Sequence, residues 1–182
     1  MKKRNLLISA MALLLLCAGC GEKGLPAEVW VDYYDTDDML LWEESKTLTL
    51  PEFPGVTFTW TSEEVTAVSG DDTTILFQGM PVCNVYLCDL TGDGKPEFCA
   101  TVSFGSGIVD DHIVVYDYAS EASYILEDRG FHDYVLIGKN NVLQVVKSQN
   151  PGIIHEKEEA PETGILSLVP DGGGNLQLVM EN

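Results

Sequence analysis

The residues best suited to chemistry lie in one short stretch, Asp89-Leu90-Thr91-Gly92-Asp93-Gly94-Lys95-Pro96-Glu97. Oxygen-bearing side chains fall at loop positions 1, 3, 5 and 9 (Asp89, Thr91, Asp93 and Glu97), and glycine stands at position 6. That spacing turns successive oxygens toward one centre, while Gly94 supplies the backbone freedom for a sharp reversal. A hard cation needs this arrangement, because Ca²⁺ takes about six to eight oxygen ligands at roughly 2.3–2.6 Å. Asp89, Asp93 and Glu97 would supply carboxylates, Thr91 a weaker hydroxyl or a water-mediated contact, and Lys95 its backbone carbonyl. Calcium is therefore the expected cofactor. The same residues also suit a plain glycine-rich hairpin turn whose aspartates cap backbone N–H groups.

Other constellations carry less. Asp110-Asp111-His112, with Ser103 not far upstream, holds the residue types of a serine hydrolase. The G-x-S-x-G elbow is absent, and such chemistry needs a positioned base and an oxyanion hole. A solvated turn entering a strand is the expectation there, no catalytic residue is assigned, and the chain reads as non-enzymatic. His155-Glu156 begins an H-E pair, but Glu159 stands where the second histidine of H-E-x-x-H would be. Asp32, Asp35, Asp37 and Asp38 could gather a second cation, though a solvated charge cluster is the simpler account. Cys83, Cys88 and Cys99 are odd in number and cannot all pair within one chain. Cys88 and Cys99 flank the acidic loop; they could bridge a hairpin or stay as small buried hydrophobes.

Strands must position these groups. Val56–Trp60, Thr73–Phe77, Asn84–Cys88, Phe98–Phe104, Ile113–Tyr118, Tyr134–Ile137, Val142–Val146, Ile165–Val169 and Leu176–Met180 are β-branched or aromatic-rich runs. Turn signals separate them, among them Ser69-Gly70-Asp71-Asp72, Gly92-Asp93-Gly94, Gly138-Lys139-Asn140-Asn141 and Asp171-Gly172-Gly173-Gly174-Asn175. The spacing predicts an all-β fold of antiparallel hairpins in a meander: a sandwich, a barrel or a blade-like sheet, with little helix. Met39–Glu44 could form a helical turn, and Gln149–Thr163, with Pro151, Pro161 and several glutamates, reads as an exposed loop.

The chain has 182 residues, 45% of them hydrophobic, and a formal net charge of −19. Lys2, Lys3 and Arg4 hold three of its ten basic residues; setting them aside leaves seven against 29 acidic, a net −22. Nucleic acid is excluded as a general partner, because phosphate contacts need clustered Lys and Arg. Six Phe, three Trp and seven Tyr supply a core, so a wholly disordered chain is excluded too. The basic tip is followed by an apolar run from Leu6 to Leu16, about half the roughly 20 residues of a membrane-spanning helix. Its layout is that of a secretory signal.

Cys17-Ala18-Gly19-Cys20 resembles the lipobox of bacterial lipoproteins, although leucine is commoner at the place of Cys17. The resemblance implies a signal peptide over residues 1–19, a diacylated Cys20 opening a lipidated tether over 20–27, and one β-rich extracytoplasmic domain over 28–182. The expected location is the outer face of the cell membrane, held by lipid on Cys20.

The acidic loop resembles the strand-flanked calcium loops of FG-GAP and VCBS-type repeats, which follow D-x-[DN]-x-D-G-x-x-[DE]. Thr91 departs from the usual Asp or Asn. An EF-hand fits less well, since its position-12 glutamate is Ala100 here. From about Pro51 to about Lys147 the chain is similar to the extracytoplasmic domain found with beta-lactam-sensor-type membrane metallopeptidases of Firmicutes. The residues that carry this are Phe53-Pro54-Gly55-Val56, Trp60-Thr61-Ser62-Glu63, Gly79-Met80-Pro81, Cys99 to Gly107 and Ile113 to Tyr118. The resemblance implies an extracytoplasmic binding or sensing module; a regulatory partner of a membrane peptidase or transporter is the alternative, and a hydrolase a lesser one.

Acyl chains contribute about 0.8 kcal/mol per buried CH₂, so a diacylated cysteine anchors firmly. Cys20→Ser is therefore expected to move the protein from the membrane to the soluble fraction. An unchanged membrane fraction, with no lipid mass on Cys20, would contradict the anchor.

Overall fold

A computed structural model describes residues 26–33, 42–105, 110–126, 132–148 and 161–182. They form thirteen strands: β1 (Glu28–Asp32), β2 (Ser45–Leu48), β3 (Val56–Thr61), β4 (Glu64–Ser69), β5 (Asp72–Gln78), β6 (Val82–Cys88), β7 (Glu97–Ser103), β8 (Asp111–Asp117), β9 (Ala122–Ile125), β10 (Asp133–Lys139), β11 (Val142–Ser148), β12 (Glu162–Pro170) and β13 (Leu176–Glu181). Every pairing is antiparallel. The strands make a five-stranded sheet in the order β1-β6-β7-β8-β9 and two four-stranded sheets, β2-β3-β4-β5 and β10-β11-β12-β13. The all-β expectation holds, and among the described residues there is no helix.

The five-stranded sheet lies between the other two, and strand pleat explains how. Successive side chains point to opposite faces. Phe98, Ala100 and Val102 of β7 and Val114 and Tyr116 of β8 pack with Phe58, Trp60, Val65 and Phe77 of the β2–β5 sheet. The intervening Cys99, Ile113 and Val115 pack with Leu136, Leu143, Val145 and Leu166 of the β10–β13 sheet. One sheet thus supplies two cores. β6 and β7 are buried at every position, whereas β3 alternates between buried and more accessible residues. In the first core Tyr33 stacks on Trp60 with ring centroids 5.4 Å apart, and the Trp60 indole N–H donates to the Val82 carbonyl at 3.2 Å.

A strand buried on both faces must satisfy its polar side chains internally. Asn84 and Thr101, wholly buried, do so across the second interface. The Asn84 amide donates to the Leu136 carbonyl at 2.9 Å, and its Oδ1 accepts the Thr101 N–H at 2.8 Å. The Thr101 hydroxyl accepts the Leu136 N–H at 3.0 Å. This loop of bonds fastens β10 to β6 and β7.

All nine expected strands are present, most of them longer by a residue or two. Four more were not anticipated: β1, β2, β4 and β9. Their sequences (Glu-Val-Trp-Val-Asp, Ser-Lys-Thr-Leu, Glu-Val-Thr-Ala-Val-Ser and Ala-Ser-Tyr-Ile) are short or polar, and three of the four lie at sheet edges where only one side is paired. Asp111 is a correction: instead of sitting in a solvated turn it is buried as the first residue of β8. The expected loop Gln149–Thr163 also runs too far, since β12 starts at Glu162. Trp42 and Glu43 form a turn and Glu44 is not helical, while residues 39–41 of the suggested helical segment, with Asp35, Asp37, Asp38 and His155-Glu156, lie outside the described residues, as does Cys20.

Asn84→Leu leaves the Leu136 carbonyl and the Thr101 N–H without their side-chain partners in a dry interface. A loss of about 3 kcal/mol is expected in urea unfolding. Thr73→Ala, at an exposed position of β5, is expected to cost under about 0.5 kcal/mol.

Candidate metal centre

The acidic loop joins β6 to β7, the two strands buried on both faces. Their register ends at Cys88 opposite Glu97, so the chain reverses immediately beyond the sheet. Gly92 and Gly94 make the reversal with φ of 77° and 85°, conformations that a residue with Cβ rarely adopts. The role expected of Gly94 is the one it has.

Asp89, Asp93 and Glu97 converge, each offering an oxygen within 4.8 Å of the others. Asp89 is 5% exposed and Glu97 1%, while Asp93 is open to solvent. The aspartate-capping arrangement is present as well. Asp89 Oδ1 accepts the N–H groups of Gly92 (2.7 Å) and Asp93 (3.1 Å), and its Oδ2 accepts that of Gly94 (2.9 Å). Glu97 Oε2 accepts the N–H groups of Leu90 and Thr91, and its Oε1 accepts the Thr91 hydroxyl at 2.8 Å. Asp93 Oδ1 accepts the Lys95 N–H at 2.8 Å.

A carboxylate has about four lone-pair directions. Three bonds to Asp89 and three to Glu97 leave roughly one direction on each, at Asp89 Oδ2 and Glu97 Oε1. A cation held here would draw on lone pairs other than those used in capping, and the donor set of hard carboxylate oxygens suits a hard cation. Thr91 is engaged through its hydroxyl with Glu97. The Lys95 ammonium lies 6.0 Å over the Phe53 ring.

Burial pushes the Glu97 carboxyl above its ordinary range. The Thr91 hydroxyl and the Leu90 and Thr91 N–H groups pull it back down, and the charge of Asp117 adds to the rise. Asp117 was not foreseen as part of this site. The β7–β8 register, running through Phe98 opposite Tyr116, brings it beside Glu97 at the next step. Its own carboxylate caps the N–H groups of Ala119 and Ser120 at 2.8 and 3.2 Å. No sequence spacing signals this neighbour; only strand pairing does.

Cys88 and Cys99 lie at the root of the loop as buried thiols that are not joined in a disulfide. Cys88 stands opposite Glu97 and Cys99 opposite Tyr86, so the two are diagonal rather than facing. Diagonal residues sit about 7–8 Å apart, beyond ordinary disulfide reach. Burial first, then the carboxylates of Glu97 and Asp89, pushes the Cys88 thiol up to about 11. Burial raises Cys99 well above its ordinary value.

The other candidate residues do not assemble. Ser103 pairs with Asp111 and Val102 with His112, so the pleat puts Ser103 and Asp111 on one face of the central sheet and His112 on the other. His112 Nε2 instead lies 2.8 Å from Asp110 Oδ1. Asp111 donates its N–H to buried Asp133 at 3.1 Å. Asp32 accepts the Tyr86 hydroxyl. Comparison with known protein families, curated proteins and solved structures finds no match to this chain.

Two outcomes follow. In iodoacetamide labelling at pH 8 read by mass spectrometry, Cys88 and Cys99 are expected to react only after unfolding, because the thiolate is the nucleophile. Equal labelling of the native protein would contradict this burial. For Glu97, a raised folded pKa means that the native state holds the proton longer than the unfolded chain. Its contribution to stability then falls as pH rises from the ordinary carboxylate range through the folded value. In chelator, the stability of Glu97→Gln relative to wild type is expected to improve across that window. A difference flat with pH would refute the assignment.

Proposed function

We propose that this chain is a non-enzymatic binding or sensing module of the lipoprotein type, held on the extracytoplasmic face of a membrane through Cys20. Calcium closes the Asp89–Glu97 hairpin. The location rests on the leader and Cys17-Ala18-Gly19-Cys20. The observation that carries the cation is the convergence of three carboxylates, two of them buried, at one hairpin end. Binding rather than catalysis is supported by the separation of His112 from Ser103 and Asp111 across the sheet.

In this reading the cation is structural. Asp89, Asp93 and Glu97 would hold it, and its charge would offset the repulsion among carboxylates that the sheet brings together. The strongly acidic chain favours cationic partners and disfavours polyanions.

A ligand that binds only the folded state at one hundred times its Kd adds about 2.7 kcal/mol. For a domain of this size that is a Tm rise of roughly 5–10 °C. Millimolar Ca²⁺ added to chelator-treated protein is expected to raise Tm, and Asp93→Ala to abolish the rise. Asp93 is exposed and caps only Lys95, so its loss tests the cation without dismantling the hairpin. A wild-type Tm indifferent to Ca²⁺ would remove the metal from this proposal.

A further inference from the structure

Three four-stranded meanders follow one another along the chain, β2–β5, β6–β9 and β10–β13, and they stack face to face with the central one, widened by β1, in the middle. Such a stack has two outward faces, and, as in repeat proteins, an end stays soluble alone when its outward face is polar. Strand pleat and register say which residues stand there. On the β2–β5 sheet they include Thr47, Thr57, Thr59, Thr66 and Thr73, which fit a strand and still bond water. Val68 and Ile75 stand among these hydroxyls. That end is capped.

The other end is built differently. Leu136, Leu143, Leu166 and Leu178 turn into the second core, so the alternate positions of β10–β13 turn outward. These include Ile137, Val142, Ile165, Val169 and Val179. Ile165 is 46% exposed, Val142 38% and Ile137 37%. Among the described residues no sheet lies over them. The open part begins at Ile137, since Val135 before it is buried.

Charge decides what can settle there. The chain carries −19, so two copies repel over most of their surface. On the open part of this face the charged residues are Lys139 and Glu181, and their charges cancel. They stand on the two edge strands, Lys139 on β10 and Glu181 on β13. The Ser167 hydroxyl, on the same face, donates to Glu181 at 2.8 Å. Ile137, Gln144, Ile165 and Glu181 form one row across the sheet, and Lys139 lies in the next, about 7 Å along the strand. Turning a second copy over about an axis along the strands lays its β13 on β10 and its β10 on β13. Each Lys139 then comes within side-chain reach of Glu181 of the other copy, with the valines and isoleucines between the two pairs.

We propose that a second copy of this chain docks on the outward face of the β10–β13 sheet, the two sheets packing about 10 Å apart as in a β-sandwich. The interface is isologous and closes at two, because the threonine end is already capped. Four strands at about 4.8 Å by six residues at about 3.4 Å give roughly 400 Å² in plan per copy, the scale of a weak, reversible dimer. The inference goes beyond the binding-module reading and rests on neither the cation nor the lipid.

Sedimentation equilibrium of the full chain in density-matched detergent, across micromolar concentrations, is the test. A monomer–dimer equilibrium with no larger species is expected. Ile137→Thr with Ile165→Thr gives this end the surface of the capped one and should weaken the dimer at least about tenfold, with circular dichroism unchanged. Val68→Thr, at the opposite end, should leave it unaltered. Lys139→Glu and Glu181→Lys should each weaken the dimer, and the two together in one chain should restore it, an outcome that misfolding does not produce. A monomer at every concentration would overturn the proposal, as would a dimer indifferent to the threonine variant or charge reversals that fail to rescue each other. Loss of the dimer in Val68→Thr, or species larger than two, would overturn it in favour of the β2–β5 end. A monomer that instead retains a different membrane protein, released by the threonine variant, would overturn it in favour of a foreign partner. The Ca²⁺-dependent Tm rise and the Cys20 anchor are measured separately, so failure here leaves the proposed function standing.

Discussion

Burial of β6 and β7 on both faces is the constraint from which the rest of the structure follows. Each must present apolar groups to two different partners, and any polar side chain must find its bonds inside. Val85, Leu87, Phe98, Ala100 and Val102 meet one sheet, and Tyr86, Cys88 and Cys99 meet the other. Asn84 and Thr101 are tolerated because Leu136 offers both backbone groups to them. That polar ring also fixes where the β10–β13 sheet can sit, since hydrogen bonds demand a position that apolar contact alone does not.

The acidic loop inherits its properties from this hairpin. Glu97 is the first residue of a wholly buried strand, so its carboxylate is drawn out of water by the fold and not by the loop. Three donors offset part of that cost, and the neighbouring Asp117 adds to it. A carboxylate in this position is held in a set geometry before any ligand arrives. The thiols beneath it are governed by the same burial, which suppresses their ionisation.

The covering sheets differ in what they leave open. The β10–β13 sheet closes over Ile113 and Val115, and the β2–β5 sheet stops short of Ile125. Both covering sheets have four strands against five in the centre, and on the side of the β2–β5 sheet Ile75 and Phe104 meet solvent.

The strand content, the hairpin at Gly92–Gly94 and the acidic loop were legible in the sequence, because β-branched runs, glycine turns and oxygen spacing are local properties. The polar edge strands β2 and β9 were hidden, since their pairing comes from neighbours and not from their own composition. Tertiary structure alone decided that Asp111 is buried, that Cys88 and Cys99 are diagonal, that Asp117 stands beside Glu97, and that His112 faces away from Ser103. Each depends on which strands pair and in what register, where a shift of one residue reverses every side chain, and those pairings join residues distant in the chain.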